Sequence, residues 1–249
     1  MRAGILTVAT GRYKQFVRPL YESVSKNFLR GHDRTFILFT DDTEAMSSVA
    51  DGLECSLEMF KIERKGFPGD TLYRYHYFHS SRDRLKILGN QCPEALYYLD
   101  ADMLVVDNVG DEVLPTRYKS IIATAHPGYY DRAGHNPLGT PETNQSSSAF
   151  IPPNRWRPCY WAGGFNGGEF EAFMSLSSAI MGRIDKDDSK GITALWHDES
   201  HLNAYISENW MIGSVKTLTP SYCYPESWSL PYKKKIIALD KNHKEIRSV

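Results

Sequence analysis

The sequence predicts an α/β fold, a mostly parallel central sheet flanked by helices, and three observations carry that prediction. Short apolar runs at Ile5–Ala9, Thr35–Phe39, Leu57–Ile62 and Ala95–Leu99 have the length and β-rich composition of buried strands. The segments between the first two and the last two place apolar residues at helical spacing. Parallel strands need a crossover connection, and strand–helix–strand alternation supplies one.

Ile5–Ala9 opens the chain, and Thr10-Gly11-Arg12-Tyr13 is the turn after it. Phe16, Val17, Leu20, Val24 and Phe28 recur at helical spacing, with Gly31 as the expected stop. Thr35–Phe39 is closed by Thr40-Asp41-Asp42, and Leu57–Ile62 is the third strand. The turn Gly66-Phe67-Pro68-Gly69-Asp70 leads into one helix carrying Leu72, Tyr75, Phe78, Leu85 and Leu88, with Gly89 as its stop. Ala95–Leu99 follows, and Ser120–Ala125 is a further strand running into His126-Pro127-Gly128. Residues 129–159 are rich in Pro, Gly, Ser, Asn and Arg without periodicity, as binding loops often are. Helices are expected from about Glu169 to Ile184 and from Leu195 to Ile206, then a strand Lys235–Leu239 and a basic tail.

Composition bounds the rest. At 249 residues the chain can bury a substantial core as one domain. A net charge of −1 argues against a protein built chiefly to bind nucleic acid or anionic membrane, so any basic site is local. Cys55, Cys92, Cys159 and Cys223 are scattered, which reads as free thiols in a reducing compartment. With no long apolar run and no signal-type leader, the expectation is a cytoplasmic protein whose chain begins with its fold.

Four constellations bear chemistry. Asp100 and Asp102 follow the buried strand Ala95–Leu99, where ligands of open α/β sheets bind. In an extended chain residues i and i+2 face one side, so the two acids suit Mg²⁺ or Mn²⁺, or form a solvated polar turn. In Trp196-His197-Asp198-Glu199-Ser200-His201 the histidines stand at i and i+4 like those of a zinc-protease helix. The same acids could instead serve a glycosidic centre, or merely favour a helix start. Glycines in Ala162-Gly163-Gly164-Phe165-Asn166-Gly167-Gly168 permit close backbone approach to a ligand, or a tight turn. Lys241 and Arg247 are two tail cations that fit a diphosphate or stay solvated.

Taken together these residues resemble glycosyltransferase family 6, the retaining α-1,3-galactosyl- and N-acetylgalactosaminyltransferases. The motifs run in family order: Asp100-Ala101-Asp102, HPGYY at His126–Tyr130, SAFIP at Ser148–Pro152, GGFNGG, WHDESHLN at Trp196–Asn203, and KNHKEIR at the tail. The resemblance implies a GT-A fold over residues 1–249, with a nucleotide-binding half to about 115 and an acceptor-binding, catalytic half beyond. It implies a UDP-GalNAc or UDP-galactose donor, a galactose-containing and in some members fucosylated acceptor, and Mn²⁺ or Mg²⁺ as cofactor.

Residue by residue, the resemblance places Val8, Ala9, Thr10 and Tyr13 around uridine and Arg74 near the ribose and the metal motif. Asp100 and Asp102 would hold the metal, with Ala101 beside the donor. Ala162, Gly163 and Gly164 would flank the donor sugar, and their small size leaves room for an N-acetyl group. Asp198 would contact donor and acceptor sugars, His126 and Trp196 the acceptor, and Lys241 and Arg247 the diphosphate. Glu199 matches the family's proposed nucleophile, and retention requires either a covalent glycosyl-enzyme on it or same-face attack guided by UDP. Compact members often carry Asn-x-Asn instead, so both acids here imply metal dependence. The rival expectations are a UDP-sugar or glycan-binding module without transfer, and a zinc hydrolase using His197 and His201.

Overall fold

The computed structural model describes residues 1–88, 91–209 and 213–247. In chain order its strands are β1 (Arg2–Val8), β2 (Asp33–Thr40), β3 (Ser56–Lys61), β4 (Ala95–Leu99), β5 (Met103–Val105), β6 (Ile121–Ala125), β7 (Trp161–Glu169), β8 (Val215–Leu218), β9 (Tyr224–Pro225) and β10 (Ile236–Ala238). The helices are α1 (Val17–Asn27), α2 (Gly69–Leu72), α3 (Arg74–Ser80), α4 (Arg82–Leu85), α5 (Phe170–Asp188), α6 (His197–Asn209) and α7 (His243–Arg247). A seven-stranded sheet runs β3-β2-β1-β4-β7-β6-β8, and β5, β10 and β9 form a small second sheet. Within the large sheet β7 alone runs against its neighbours β4 and β6. This is the mostly parallel, helix-flanked sheet expected, and it is GT-A-like.

Side-chain alternation explains why both faces are covered. Ile5, Tyr97 and Leu99 point to one face, where Leu20, Tyr21, Val24 and Phe28 of and beside α1 cover them. Leu6, Leu96 and Tyr98 point to the other, under Tyr75, Phe78, Phe173, Ile180 and Leu202. Strands buried on both sides read as continuous apolar runs, which is why β1, β2 and β4 were visible in the sequence.

Four local expectations are corrected. First, α1 ends at Asn27, before Gly31: Phe28 is already extended and bridges Val109, its ring edge-on to Tyr97 and Phe165. Second, the single helix expected from Leu72 is three short ones, broken at Tyr73 and Ser81, where ψ relaxes to 12° and 2°. Its expected stop, Gly89, lies outside the described residues. Third, the glycine-rich stretch is not a tight turn but the interior strand β7. A methyl group on Gly167 would lie 2.5 Å from the Leu96 carbonyl oxygen, and one on Gly168 2.4 Å from that of Ser120. Glycine here lets two neighbouring backbones close on the strand. Fourth, β5, β8 and β9 were not anticipated, being short or only half-buried.

Candidate active site

The first strand, the β4 turn, the loop after β3 and the tail enclose a cavity of about 280 Å³ at the carboxyl ends of β1 and β4. That is where an open α/β sheet binds ligands. Val8, Thr10, Tyr13, Asp100, Ala101, Asp102, Lys241 and Arg247 line it. Ala9 does not: it is fully buried, its N–H donating to the Phe39 carbonyl at 2.9 Å.

The two aspartates do not extend the strand as supposed. The Met103 N–H donates to the Asp100 carbonyl at 3.2 Å, so residues 100–103 turn, and it is the turn that keeps both acids on the cavity wall. Asp100 accepts from Arg74 Nη1 at 2.9 Å and from the Tyr98 hydroxyl at 2.5 Å. Asp102 pairs with Lys241, whose ammonium burial pulls below its ordinary value against the opposing pull of Asp100. Two hard carboxylates, with the Asp100 side chain 39% exposed, fit Mg²⁺ or Mn²⁺ completed by water and phosphate oxygens. Among the described residues no group of three His, Cys, Asp or Glu side chains converges, so the protein's own share of such a shell is this pair.

Arg74 is 3% exposed and lies behind the wall rather than on it, its guanidinium 4.5 Å from the Tyr98 ring centre. One nitrogen holds Asp100 and the other holds Asp198, at 2.6 Å. It therefore ties the β4 turn to the start of α6. Glu199, next along, accepts the Gly163 N–H at 2.8 Å. That donor is free because β7 bulges there: consecutive residues Ala123 and Thr124 of β6 pair with Asn166 and Ala162, leaving 163–165 out of that ladder. Bulges re-aim groups beside active sites, and Asn166 Nδ2 secures this one by donating to the Gly163 carbonyl at 3.0 Å. Across the turn His197 takes φ +53°, a strained value for a side-chain-bearing residue, and directs Asp198 and Glu199 inward.

Burial raises the Asp198 carboxyl to about 6, with Arg74 opposing, and the Glu199 carboxyl to about 7, with the Gly163 N–H opposing. Burial also lowers His126 to about 4, so its ring is neutral. Its Nδ1 accepts the Gly128 N–H at 3.0 Å, which leaves Nε2 carrying the proton. The His126 ring lies 5.8 Å from that of Tyr160, whose hydroxyl neighbours Glu199. Trp196 is 47% exposed and donates through Nε1 to Thr140 Oγ1 at 2.8 Å.

The zinc-helix expectation is corrected. The left-handed turn at His197 takes the two histidines off a common helical face. His197 stands 5.2 Å from the Phe67 ring, while His201 is buried with Nε2 3.9 Å from Asp187. Burial lowers His201 to about 4, and Asp187 is engaged by Ser147 and the Ser148 N–H.

The structure thus unites Asp100, Arg74, Asp198, Glu199 and Gly163, and a methyl group on Gly164 would stand 3.0 Å from an Asp100 carboxylate oxygen. Arg247 lines the same cavity with its guanidinium centre 3.5 Å from the Phe67 ring centre. Sequence reasoning missed Arg64, Phe67, Asp70, Tyr98 and Tyr160. The first two lie in the loop after the carboxyl end of β3, and Asp70 lies in α2 directly beyond it, a position that itself flags a ligand contact.

The profile of Glycosyltransferase family 6 matches residues 1–249. Histo-blood group ABO system transferase 1 of Rattus norvegicus is 30% identical over 253 residues, covering 98% of this chain and 68% of that protein. Globoside alpha-1,3-N-acetylgalactosaminyltransferase 1 of Homo sapiens is 26% identical over 255 residues, covering 98% and 68%. O-antigen biosynthesis glycosyltransferase WbnI of Escherichia coli is 26% identical over 241 residues, covering 97% and 95%.

Proposed function

Since the chain belongs to glycosyltransferase family 6, and is accordingly a glycosyltransferase, we propose that it moves GalNAc or galactose from a UDP-sugar to a galactoside, forming an α-1,3 linkage with retention. The observation that carries this reading is the continuous bridge from cavity to buried carboxylate, Asp100–Arg74–Asp198 beside Glu199–Gly163.

In this reading the nucleotide fills the cavity and the sugar lies between Asp100 and Glu199. Asp100 and Asp102 would hold a divalent cation, which when bound would supply positive charge against the departing diphosphate. Lys241 and Arg247 add cationic hydrogen bonds there, Arg247 leaving Phe67 to do so. The Glu199 carboxylate bonds to the anomeric carbon as the bond to UDP breaks. The acceptor hydroxyl, giving its proton to an oxygen of the released diphosphate, then displaces Glu199 as a carboxylate from the other side, and two inversions give retention. Gly163 fixes the Glu199 oxygen, and Asp198, neutralised by Arg74, stays as an acceptor for sugar hydroxyls. His126 offers its Nε2 proton to the acceptor.

The donor assigned is UDP-GalNAc, because Ala162, Gly163 and Gly164 project little into the sugar's place. Incubating the protein with Mn²⁺, each UDP-sugar and fucosylated or unfucosylated galactosides tests this. The expected product is an α-linked GalNAc disaccharide by proton NMR with stoichiometric UDP release. A β-linked product, or UDP-sugar binding without transfer to any galactoside, contradicts it.

A further inference from the structure

Beyond the two acids, Lys241 and Arg247, the cavity holds a third cation on a different wall. Arg64, in the loop after β3, lines the cavity half-buried, and among the described residues its guanidinium has no hydrogen bond or ion pair. It lies across the backbone of Gly11: a methyl group there would stand 2.7 Å from Arg64 Cζ and 2.9 Å from Nε and Nη2. Gly11 also has φ +51°, which glycine adopts without strain, so residue 11 is fitted to this guanidinium twice over. The Gly11 N–H is held by both Asp41 oxygens at the end of β2, and Asp41 is itself paired with Lys14 at 3.0 Å. Arg64 therefore owes its position to packing and keeps its donors for a ligand.

Its place in the sheet decides which part of the ligand. β1 is flanked by β2 on one side and β4 on the other. Asp100, Asp102 and Lys241 stand at the β4 end of the cavity, whereas Arg64 and Gly11 stand at the β2 end. On the reading that the diphosphate lies at the β4 end, the far end receives the base. A guanidinium offers donors only. Uracil presents the O4 acceptor where cytosine presents an N4 donor.

We propose that Arg64 reads the base of the bound nucleotide, donating to the carbonyl edge of uracil and rejecting cytosine. This rests on the UDP-sugar reading above. Titration calorimetry with UDP and CDP in Mn²⁺, on the wild type, Arg64→Ala and Arg64→Gln, tests it. The wild type is expected to prefer UDP. Arg64→Ala should lose about tenfold in UDP affinity while CDP affinity stays level or rises. Arg64→Gln should bind CDP severalfold more tightly than the wild type, because an amide can also accept; misfolding cannot produce such a gain. Equal losses for both nucleotides, or no change in either, would overturn the assignment while leaving the UDP reading intact. A wild type that binds neither nucleotide overturns both.

Discussion

The two halves of the sheet are built to different standards of regularity. On the side proposed to bind nucleotide β3, β2, β1 and β4 pair in unbroken parallel register. On the side of the proposed nucleophile β7 runs backward, bulges at 163–165 and faces an α6 whose first residue is left-handed. The regular half offers a cavity and charges. The irregular half spends ladder hydrogen bonds and backbone strain to aim a main-chain N–H and two buried acids. Binding tolerates regular scaffolding, whereas catalysis needs groups held where regular structure does not put them.

That contrast can be broken at either end. A large effect is expected on the regular side: Asp102→Asn, or excess EDTA, should lower transfer by about a hundredfold or more. The melting temperature should stay within a few degrees. Full activity in EDTA would remove the metal from the account.

Next come the glycines of β7, which serve two purposes on one strand. Gly168→Ala sets a methyl 2.4 Å from a backbone oxygen and should cost about 3 kcal/mol in denaturant melts. Gly163→Ala meets Glu199 and Arg74 only at 3.4–3.6 Å, so it should fold normally. Its loss should appear in turnover, falling more for UDP-GalNAc than for UDP-galactose. Equal destabilisation by the two would erase the distinction between packing glycine and site glycine.

The smallest effect is the pH response. Burial lifts the Glu199 carboxyl to about 7, and only its ionised form is a nucleophile. Transfer should therefore climb about tenfold per unit below pH 7 and level off above. Stability should run the other way. A carboxyl whose folded value is raised favours the fold most below its ordinary range, and that contribution is lost as pH rises through about 7. Glu199→Gln should accordingly melt higher than the wild type at pH 8. Parallel pH trends in activity and stability would mean that Glu199 is not the group titrating.

The same contrast separates what was legible in the sequence from what was not. Ala95–Leu99 was read to the residue because a strand buried on both faces is a continuous apolar run bounded by polar residues. β7 was misread, since its glycines answer to neighbouring backbones that only the tertiary fold brings near. Asp100 and Asp102 were singled out for the wrong reason: strand alternation was invoked, and a turn places them. The Arg74 bridge joins residues 26 and 124 positions apart, which no local pattern encodes. Asp198 and Glu199 were visible as residue types, but the strain at His197 that directs them was not.

The division of labour between the halves is tested most directly by one enzyme, Glu199→Gln, assayed for UDP affinity and transfer at pH 8 with Mn²⁺. The account predicts UDP affinity within twofold of the wild type and transfer reduced by about a thousandfold or more. Near-normal transfer by that enzyme would contradict it.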